Sequence, residues 1–196
     1  KFYTEAPIGT SRLALNSKYP PLDDVRVRKA LQHLYDRETM IEKLFFNEYE
    51  PLTSYYQGEI YGNPNNKLLP YDEVGAVKLL EEAGWKVGAD GIARNAKGEP
   101  LQFEFLETGD APGRAEAVFE RNLAKIGITL KHRLVDFSLF RKRMETFDFD
   151  MVMIKIGDFT LPEPAELKSQ YGSANADVQG ADNYRGVKSR AIDHVL

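Results

Sequence analysis

The stretch that decides the fold is Phe147–Pro164, which reads FDFDMVMIKIGDFTLPEP. Apolar residues fill most of positions 149–156, a run that is too short for an ordinary helix but suits a strand buried on both faces. The run ends at Gly157, and Pro162 and Pro164 then prevent the strand from continuing. The pattern predicts an inner strand of a sheet with helices packed above and below it.

Asp158 directly follows the end of this strand. In open α/β sheets, ligands bind in the crevice beyond the carboxyl ends of the strands, and Gly157 lets a ligand approach the backbone closely. Asp158 is therefore a candidate ligand contact. An aspartate in this place also suits the cap of the turn that follows, and the sequence leaves both interpretations open.

The second half of the chain alternates strands and helices. Residues 101–106 alternate apolar and polar side chains, as a half-buried strand does, and residues 115–126 have the apolar spacing of a helix. A strand over residues 128–135, a helix that starts at Asp136 and the strand over residues 149–156 follow. Such alternation is typical of parallel strands joined by right-handed crossovers. We therefore predict one α/β lobe over residues 1–196.

The first half predicts a short strand at Arg12–Asn16 and several helices that begin at aspartates. Asp23 or Asp24 suits the N-cap of one helix, Asp36 opens a second, and Asp72 caps the clearest one. Gly84 stands where that helix needs a left-handed residue to end.

The segment Asn47–Pro70 has no regular pattern and mixes tyrosine with glycine, asparagine and proline, which indicates a long loop. Loops of this length in compact domains usually carry function or are mobile. Tyr55 and Tyr56 suit the lining of a ligand pocket, because tyrosine offers apolar area and a polar hydroxyl. The same rings also suit packing that holds the loop on the domain surface.

Composition excludes several classes of function. With 26 Lys and Arg against 30 Asp and Glu, the net charge of −4 offers no basic footprint for nucleic acid. No apolar run approaches the roughly 18 residues of a membrane span, so we expect no direct membrane insertion. His33, His132 and His194 lack the spacing of a metal site and are predicted to be surface or packing residues. The chain also lacks cysteine and the usual nucleotide and nucleophile motifs. We expect that the protein binds no cofactor and no metal and that it is not an enzyme.

The two ends of the sequence look cut. The chain begins KFYTEAP, without the pattern of a signal peptide. It ends at residues 191–196 in the start of a helix that has no closing turn. We expect a part of a longer protein.

Several motifs together resemble one family. The segment Asn16–Arg37, NSKYPPLDDVRVRKALQHLYDR, resembles a motif of the solute-binding proteins of peptide ABC transporters. Tyr71–Trp85, YDEVGAVKLLEEAGW, is similar to that family's YDxxxAxxLLxEAGW helix. Ala124–Ile128, Phe149–Asp150 and the segment NYRG at positions 183–186 follow in the family's order. The chain is identified as a member of the family 5 extracellular solute-binding proteins. The segment LFFNEYEPLTSYY at positions 44–56 resembles the Yej-type subgroup, whose members are associated with oligopeptide and microcin C uptake.

The resemblance implies a two-lobed protein that closes on its ligand by a hinge. This chain would form most of the C-terminal lobe, a periplasmic-binding-protein-like type II lobe with a mixed, mostly parallel sheet flanked by helices. In peptide-binding members the segment at the end of one strand holds the ligand. Carried over, the backbone of Lys155, Ile156 and Gly157 would pair with an extended peptide, and Asp158 would hold its α-ammonium group. The tryptophan that often precedes this aspartate in the family is absent here. The remaining predicted ligand-binding residues are Tyr55, Tyr56, Asn183 and Tyr184.

The implied function is that of the substrate-binding component of an ABC importer. The full-length protein would capture an oligopeptide or peptide-like solute in the periplasm, or at the cell surface as a lipoprotein, and deliver it to a permease in the inner membrane. Two alternatives stay open at this point. One is a hydrolase that uses an acidic pair on a similar lobe, and the other is a receptor that passes its ligand to a sensor or chemotaxis system.

Overall fold

A computed structural model describes residues 10–54, 62–156 and 163–196 of the chain. The strands in chain order are β1 Thr10–Leu15, β2 Lys86–Val87, β3 Ala93–Arg94, β4 Gln102–Thr108, β5 Thr129–Val135 and β6 Met151–Ile156. The α-helices are α1 Val25–Leu34, α2 Arg37–Thr39, α3 Glu73–Glu82, α4 Arg114–Lys125, α5 Phe137–Glu145, α6 Pro164–Tyr171 and α7 Arg190–Val195. A π-helical turn, Met40–Leu44, continues α2, and a 3-10 turn, Ser173–Asn175, follows α6.

Four strands form the main sheet in the order β1-β6-β4-β5. Strand β4 is parallel to both β5 and β6, whereas β1 is antiparallel to β6. The parallel strands predicted from the alternation of elements are confirmed, and so is the α/β class with a mixed, mostly parallel sheet. The antiparallel strand β1 makes the sheet mixed.

The two crossover helices lie on opposite faces of this sheet. The chain steps from β4 to β5 on one side and then returns to β6 on the other side of β4. Because right-handed crossovers in opposite directions place their helices on opposite faces, α4 packs on one face and α5 on the other. Phe105 and Phe119 lie in the larger core, and Leu106 and Phe140 belong to the smaller one.

The larger core fills the first face. Helix α1 contributes residues that recur at helical spacing and are all fully buried, namely Val27, Ala30, Leu31 and Leu34. They pack with α3, α4 and the inward side chains Phe103 and Phe105 of β4. The alternation of buried and exposed residues predicted for β4 is therefore confirmed.

The predicted helix ends are also confirmed. Asp24, Asp36, Asp72 and Asp136 each accept a backbone N–H from the first turn of the helix that follows. Gly84 after α3 has a φ of 91°, a left-handed conformation that glycine adopts without steric cost. Local chemistry alone predicts Asp36, Asp72, Asp136 and Gly84, and the structure selects Asp24 over Asp23 as the cap of α1.

The start of β6 differs from the prediction. The strand begins at Met151, two residues later than the predicted start at Phe149. The buried amide of Asn16 explains the shift, since its Nδ2 donates to the carbonyl oxygens of both Phe147 and Phe149 at 2.9 Å. Phe147 also has a φ of 59°. Phe147 and Phe149 therefore precede the strand and are held by Asn16, instead of forming the first residues of β6.

The hairpin β2–β3 is hydrogen-bonded to Gly127, which lies between α4 and β5. Ala93 donates its N–H to the carbonyl of Gly127 at 2.9 Å. A Cβ atom at Gly127 would lie 2.2 Å from the carbonyl oxygen of Gly91. Gly127 also has a φ of 76°, so both the space and the backbone conformation require glycine.

Over the described ranges the longest helix, α4, has 12 residues. None of the helices in these ranges combines the length and the apolar character that a membrane crossing requires.

Candidate functional site

The carboxyl ends of β4, β5 and β6 meet at one edge of the sheet. Strand β4 lies between the other two, and the connections that leave it and return past it run in opposite directions. This reversal is a topological switch point, where open α/β sheets characteristically leave a crevice for a ligand. We take this edge, defined by the ends of β4, β5 and β6, as the candidate site and refer to it as the carboxyl edge.

Strands β4 and β6 separate as they approach the carboxyl edge. They pair at Phe105–Met151 and Leu106–Val152, whereas β4 remains paired with β5 up to Thr108. Strand β6 meanwhile remains paired with β1 up to Ile156. Within the part of the chain that the structure describes, residues 153–156 thus have a strand partner on the β1 side and none on the β4 side. Unpaired backbone groups on a strand edge suit strand-like pairing with an extended ligand.

Three kinds of group follow the strand ends at the carboxyl edge. Lys155 is exposed at the end of β6, and the loop Gly109–Gly113 follows β4. At the end of β5, Phe137 exposes 67% of its surface and stacks on Phe140, with ring centroids 6.5 Å apart. The described part of the carboxyl edge therefore includes backbone hydrogen-bonding groups, the Lys155 cation and apolar area, a combination that is common in ligand sites.

The predicted site residues lie in several parts of the chain. Lys155 and Ile156 end β6 at the carboxyl edge, as the sequence predicts. Gly157, Asp158, Tyr55 and Tyr56 lie outside the described residues. Their roles in ligand binding stay predictions.

Asn183 lies in the segment that follows α6 and is fully buried. Its Nδ2 donates to the carbonyl oxygens of Gly172 and Val187 at 3.0 and 2.9 Å, and its Oδ1 accepts the N–H of Val187 at 2.9 Å. The amide thus stabilises the turn between these residues. A ligand contact for Asn183 stays a prediction, beside the structural role that these bonds give it.

Tyr184 packs on the second face of the sheet. Its ring centroid lies 6.3 Å from that of Phe149, which precedes β6. Burial raises the pKa of Tyr184 above its ordinary value, and the Arg185 guanidinium, 5.1 Å from the ring centroid, acts in the opposite direction. The ring therefore contacts the entry of β6, whereas Lys155 lies near the exit of the strand. Its predicted role in a ligand pocket is not tested by this packing.

One cluster at the carboxyl edge was missed by reasoning from the sequence. Glu107, near the end of β4, accepts the N–H of Gly113 at 3.2 Å and also contacts Nδ1 of His132 on β5. The sequence interpretation had His132 as a surface or packing residue. The alternation along two parallel strands puts both side chains on one face, but their contact depends on a register that the sequence does not reveal.

A second concave region lies along β1. It has a volume of about 760 Å³, and its wall includes Arg12, Lys18 and Arg185. Lys18 binds Asp177 and the carbonyl of Ala176, while the Arg185 guanidinium lies 4.5 Å from the ring centroid of Tyr171. Lys18 and Arg185 are therefore both engaged in contacts with other residues of this chain. We prefer the carboxyl edge as the ligand site because its unpaired groups belong to the backbone of a strand.

An acidic cluster lies near the amino end of β6. Arg143 binds Glu104 at 2.7 Å and Asp148 at 2.9 Å. Burial raises the pKa of Asp150, whose carboxylate accepts the N–H of Glu104 at 2.8 Å. Across residues 10–54, 62–156 and 163–196, no group of three or more His, Asp or Glu side chains is arranged to hold a metal ion.

Comparison with known proteins gives a family match and several relatives. Residues 1–177 match the family described as bacterial extracellular solute-binding proteins, family 5 middle. The probable peptide-binding protein YejA of Agrobacterium fabrum is 29% identical over 92% of this chain and 35% of its own length. The chain spans about a third of the length of the curated relatives that it matches.

Two solved structures show a similar fold. NikA of Brucella suis in complex with Fe(III)-EDTA is 28% identical, with a TM-score of 0.78 over 92% of this chain and 36% of NikA. The oligopeptide-binding protein AppA of Bacillus subtilis in complex with a nonapeptide is 24% identical, with a TM-score of 0.79 over 96% of this chain and 38% of AppA. At 24% identity, the similarity to AppA concerns the fold alone.

Proposed function

The chain belongs to family 5 of the bacterial extracellular solute-binding proteins, and we propose that the full-length protein is the substrate-binding component of an ABC importer for oligopeptides or peptide-like solutes. The resemblance seen in the sequence, including that to Yej-type relatives, is confirmed by the comparisons. The observation that carries the proposal is the open edge of β6 at residues 153–156, at the topological switch point.

Peptide capture at this edge rests on main-chain hydrogen bonds. An extended peptide placed beside residues 153–156 takes the position that β4 leaves free as the two strands separate. Each hydrogen bond contributes about 0.5–1.5 kcal/mol net, and the pairing does not depend on the identity of the peptide side chains. A site of this kind accepts many sequences, as an importer of mixed peptides requires.

One charged contact sets the direction of the peptide in this proposal. Asp158 follows β6 in sequence and supplies a carboxylate for the α-ammonium group of the ligand. A charge-assisted hydrogen bond of this kind contributes about 1.5–3 kcal/mol. Tyr55, Tyr56 and Tyr184 then shape the pocket and limit the length of the peptide.

The rest of the protein completes the site. The chain spans about a third of its curated relatives, and we propose that it forms most of one of two lobes that close on the ligand by a hinge. Closure removes water from the charged contact and produces the form that a permease recognises. The family is described as extracellular, and we propose a periplasmic or lipoprotein location for the full-length protein.

A metal chelate is the second candidate ligand. The observation in its favour is the 28% identity to NikA, a protein solved with Fe(III)-EDTA. An anionic chelate would use the exposed cation of Lys155 more than the strand edge. The peptide stays the preferred ligand because the open edge supplies backbone groups and because one relative is named as a probable peptide-binding protein.

Titration calorimetry on the full-length protein separates these ligands. The first ligand is the mixture of unmodified peptides that co-purifies with the full-length protein and is identified by mass spectrometry. The second ligand is Fe(III)-EDTA. Saturable peptide binding without cleavage supports the proposal. Binding of the chelate alone would contradict it, and appearance of cleaved peptides would support a hydrolase instead.

A further inference from the structure

The loop Gly109–Gly113 follows β4 at the carboxyl edge, and an acidic side chain of β4 binds the far end of the loop. The Glu107 carboxylate accepts the N–H of Gly113 at 3.2 Å, and α4 begins at the next residue. Gly109 at the start of the loop has a φ of 121°, a conformation that glycine adopts freely. The path of the loop therefore depends on how firmly Glu107 is fixed.

Glu107 is fixed in turn by a histidine that lies between two carboxylates. His132 contacts Glu107 through Nδ1, and its Nε2 lies 3.5 Å from Oε2 of Glu120 on α4. The side chains of His132 and Glu107 are only 11% and 12% exposed, whereas that of Glu120 is 48% exposed. The packing thus presents both ring nitrogens to acidic groups, one of them with little access to water.

The number of N–H groups on the His132 ring decides how many hydrogen bonds the ring can donate to the two carboxylates. A neutral imidazole has one donor and one acceptor, whereas the imidazolium has two donors. Between two carboxylates only the imidazolium donates on both sides. Nε2 of His132 is buried and makes no hydrogen bond in the described part of the chain, since the contact to Glu120 is a charge contact at 3.5 Å.

Other charged groups around the ring do not replace these partners. Glu116 on α4 is buried beside Gly113 and adds further negative charge on the same side. Lys131 and Arg133, the neighbours of His132 on β5, are exposed, and the alternation of a strand directs them to the opposite face. Both ring nitrogens of His132 therefore face carboxylates.

We propose that His132 and Glu107 are positioning residues that tie the order of the loop Gly109–Gly113, and through it ligand affinity at the carboxyl edge, to the pH of the surroundings. The part about affinity rests on the proposed function, whereas the part about the loop does not. Imidazole is the side chain whose charge ordinarily changes between about pH 5 and 8, and a glutamate ordinarily ionises near pH 4.3. The loop is accordingly held most firmly in mildly acidic solution and loosens as the pH rises.

Hydrogen exchange of the loop in the full-length protein, without ligand, tests the proposal. Peptides that cover residues 108–116 are followed by mass spectrometry at about pH 5.5 and about pH 7.5, with rates corrected for the intrinsic effect of pH. We expect protection of this segment to fall by about threefold or more at the higher pH, as the loss of one partly buried ion pair permits.

Two variants and one control complete the experiment. His132→Gln removes the imidazole, so protection of the loop should no longer change with pH. Glu120→Gln removes only the more exposed partner and should reduce the change without abolishing it, which keeps the test valid if His132→Gln does not fold. His194→Gln alters an exposed histidine on α7 and should leave the change as it is in the parent protein.

The outcomes separate the two proposals. Equal loop protection at both pH values in the parent protein, or an unaltered pH effect in His132→Gln, would overturn the role of this pair. The parallel calorimetric titration with the peptide mixture then measures affinity at the two pH values. Loop protection that changes with pH while no peptide binds would support the His132–Glu107 pair and count against the proposed function alone.

Discussion

Strand β6 has two halves that differ in what they contact. Met151 and Val152 are completely buried and pair with β4 on one side and β1 on the other. Residues 153–156 pair with β1, and the side chains become more exposed towards Lys155. The comparison teaches that one short apolar run can serve both the core and the surface, because pairing on one edge ends before the strand does.

The largest expected effect comes from breaking the buried half. Met151→Ala removes a side chain that is 0% exposed and should lower the free energy of unfolding by about 2–5 kcal/mol, since such truncations leave a cavity. Urea-induced unfolding measures the change. Lys155→Ala is the matched change in the other half and should stay within about 0.5 kcal/mol of the parent. Equal costs in the two halves would contradict the comparison.

The exit of β6 should matter for ligand binding instead of folding. If Asp158 holds the peptide amine, Asp158→Ala should weaken peptide binding by about 2–5 kcal/mol, the usual cost of leaving a buried partner charge unpaired. Titration calorimetry on the full-length protein checks this. Asp148 precedes the strand and binds Arg143, so Asp148→Ala should leave the affinity unchanged. Unchanged affinity in Asp158→Ala would remove Asp158 from the site.

The entry of β6 offers a sharper test of what fixes the strand. Asn16 is buried and donates to two carbonyl groups just before Met151. Asn16→Ala leaves these carbonyls without their partner and should cost about 1–3 kcal/mol in the free energy of unfolding. Asn16→Asp has a similar shape but no donor and should be at least as costly. A neutral effect of both changes would show that the entry is set by other contacts.

The smallest effect concerns Asp150, at the same end of the strand. Burial raises the pKa of this carboxyl above its ordinary value, so the ionised form is less favourable in the folded state than in the unfolded state. Stability from this group therefore increases as the pH falls through the raised pKa and is lost as the pH rises above it. Asp150→Asn keeps an acceptor for the N–H of Glu104 and should be slightly more stable than the parent at neutral pH. Thermal unfolding from pH 4 to pH 7 should show this advantage disappearing in acid, and a constant difference would contradict it.

Local chemistry in the sequence was enough to predict most of the elements. The aspartate caps, the left-handed Gly84 and the alternation in β4 each depend on residues close together in the chain, and all are confirmed. The parallel direction of β4, β5 and β6 was also predicted, because alternating strands and helices imply parallel pairing. The family resemblance rested on motifs of the same local kind.

Features that depend on distant contacts were beyond the sequence. The late start of β6 depends on Asn16, which is 131 residues away from Phe147. The separation of β4 from β6 and the contact between Glu107 and His132 depend on the registers of strands that pair through space. A period of two places a side chain on a face but does not say which residue lies beside it.

The central claim is that residues 153–156 of β6 bind the ligand through their open backbone edge. Hydrogen exchange of the full-length protein, followed residue by residue with and without the peptide mixture, tests this directly. The account predicts that peptide binding slows exchange at the amides of residues 153–156 that face the crevice, while Met151 and Val152, already paired on both sides, stay unchanged. Saturating peptide that leaves exchange at residues 153–156 unaltered would contradict it.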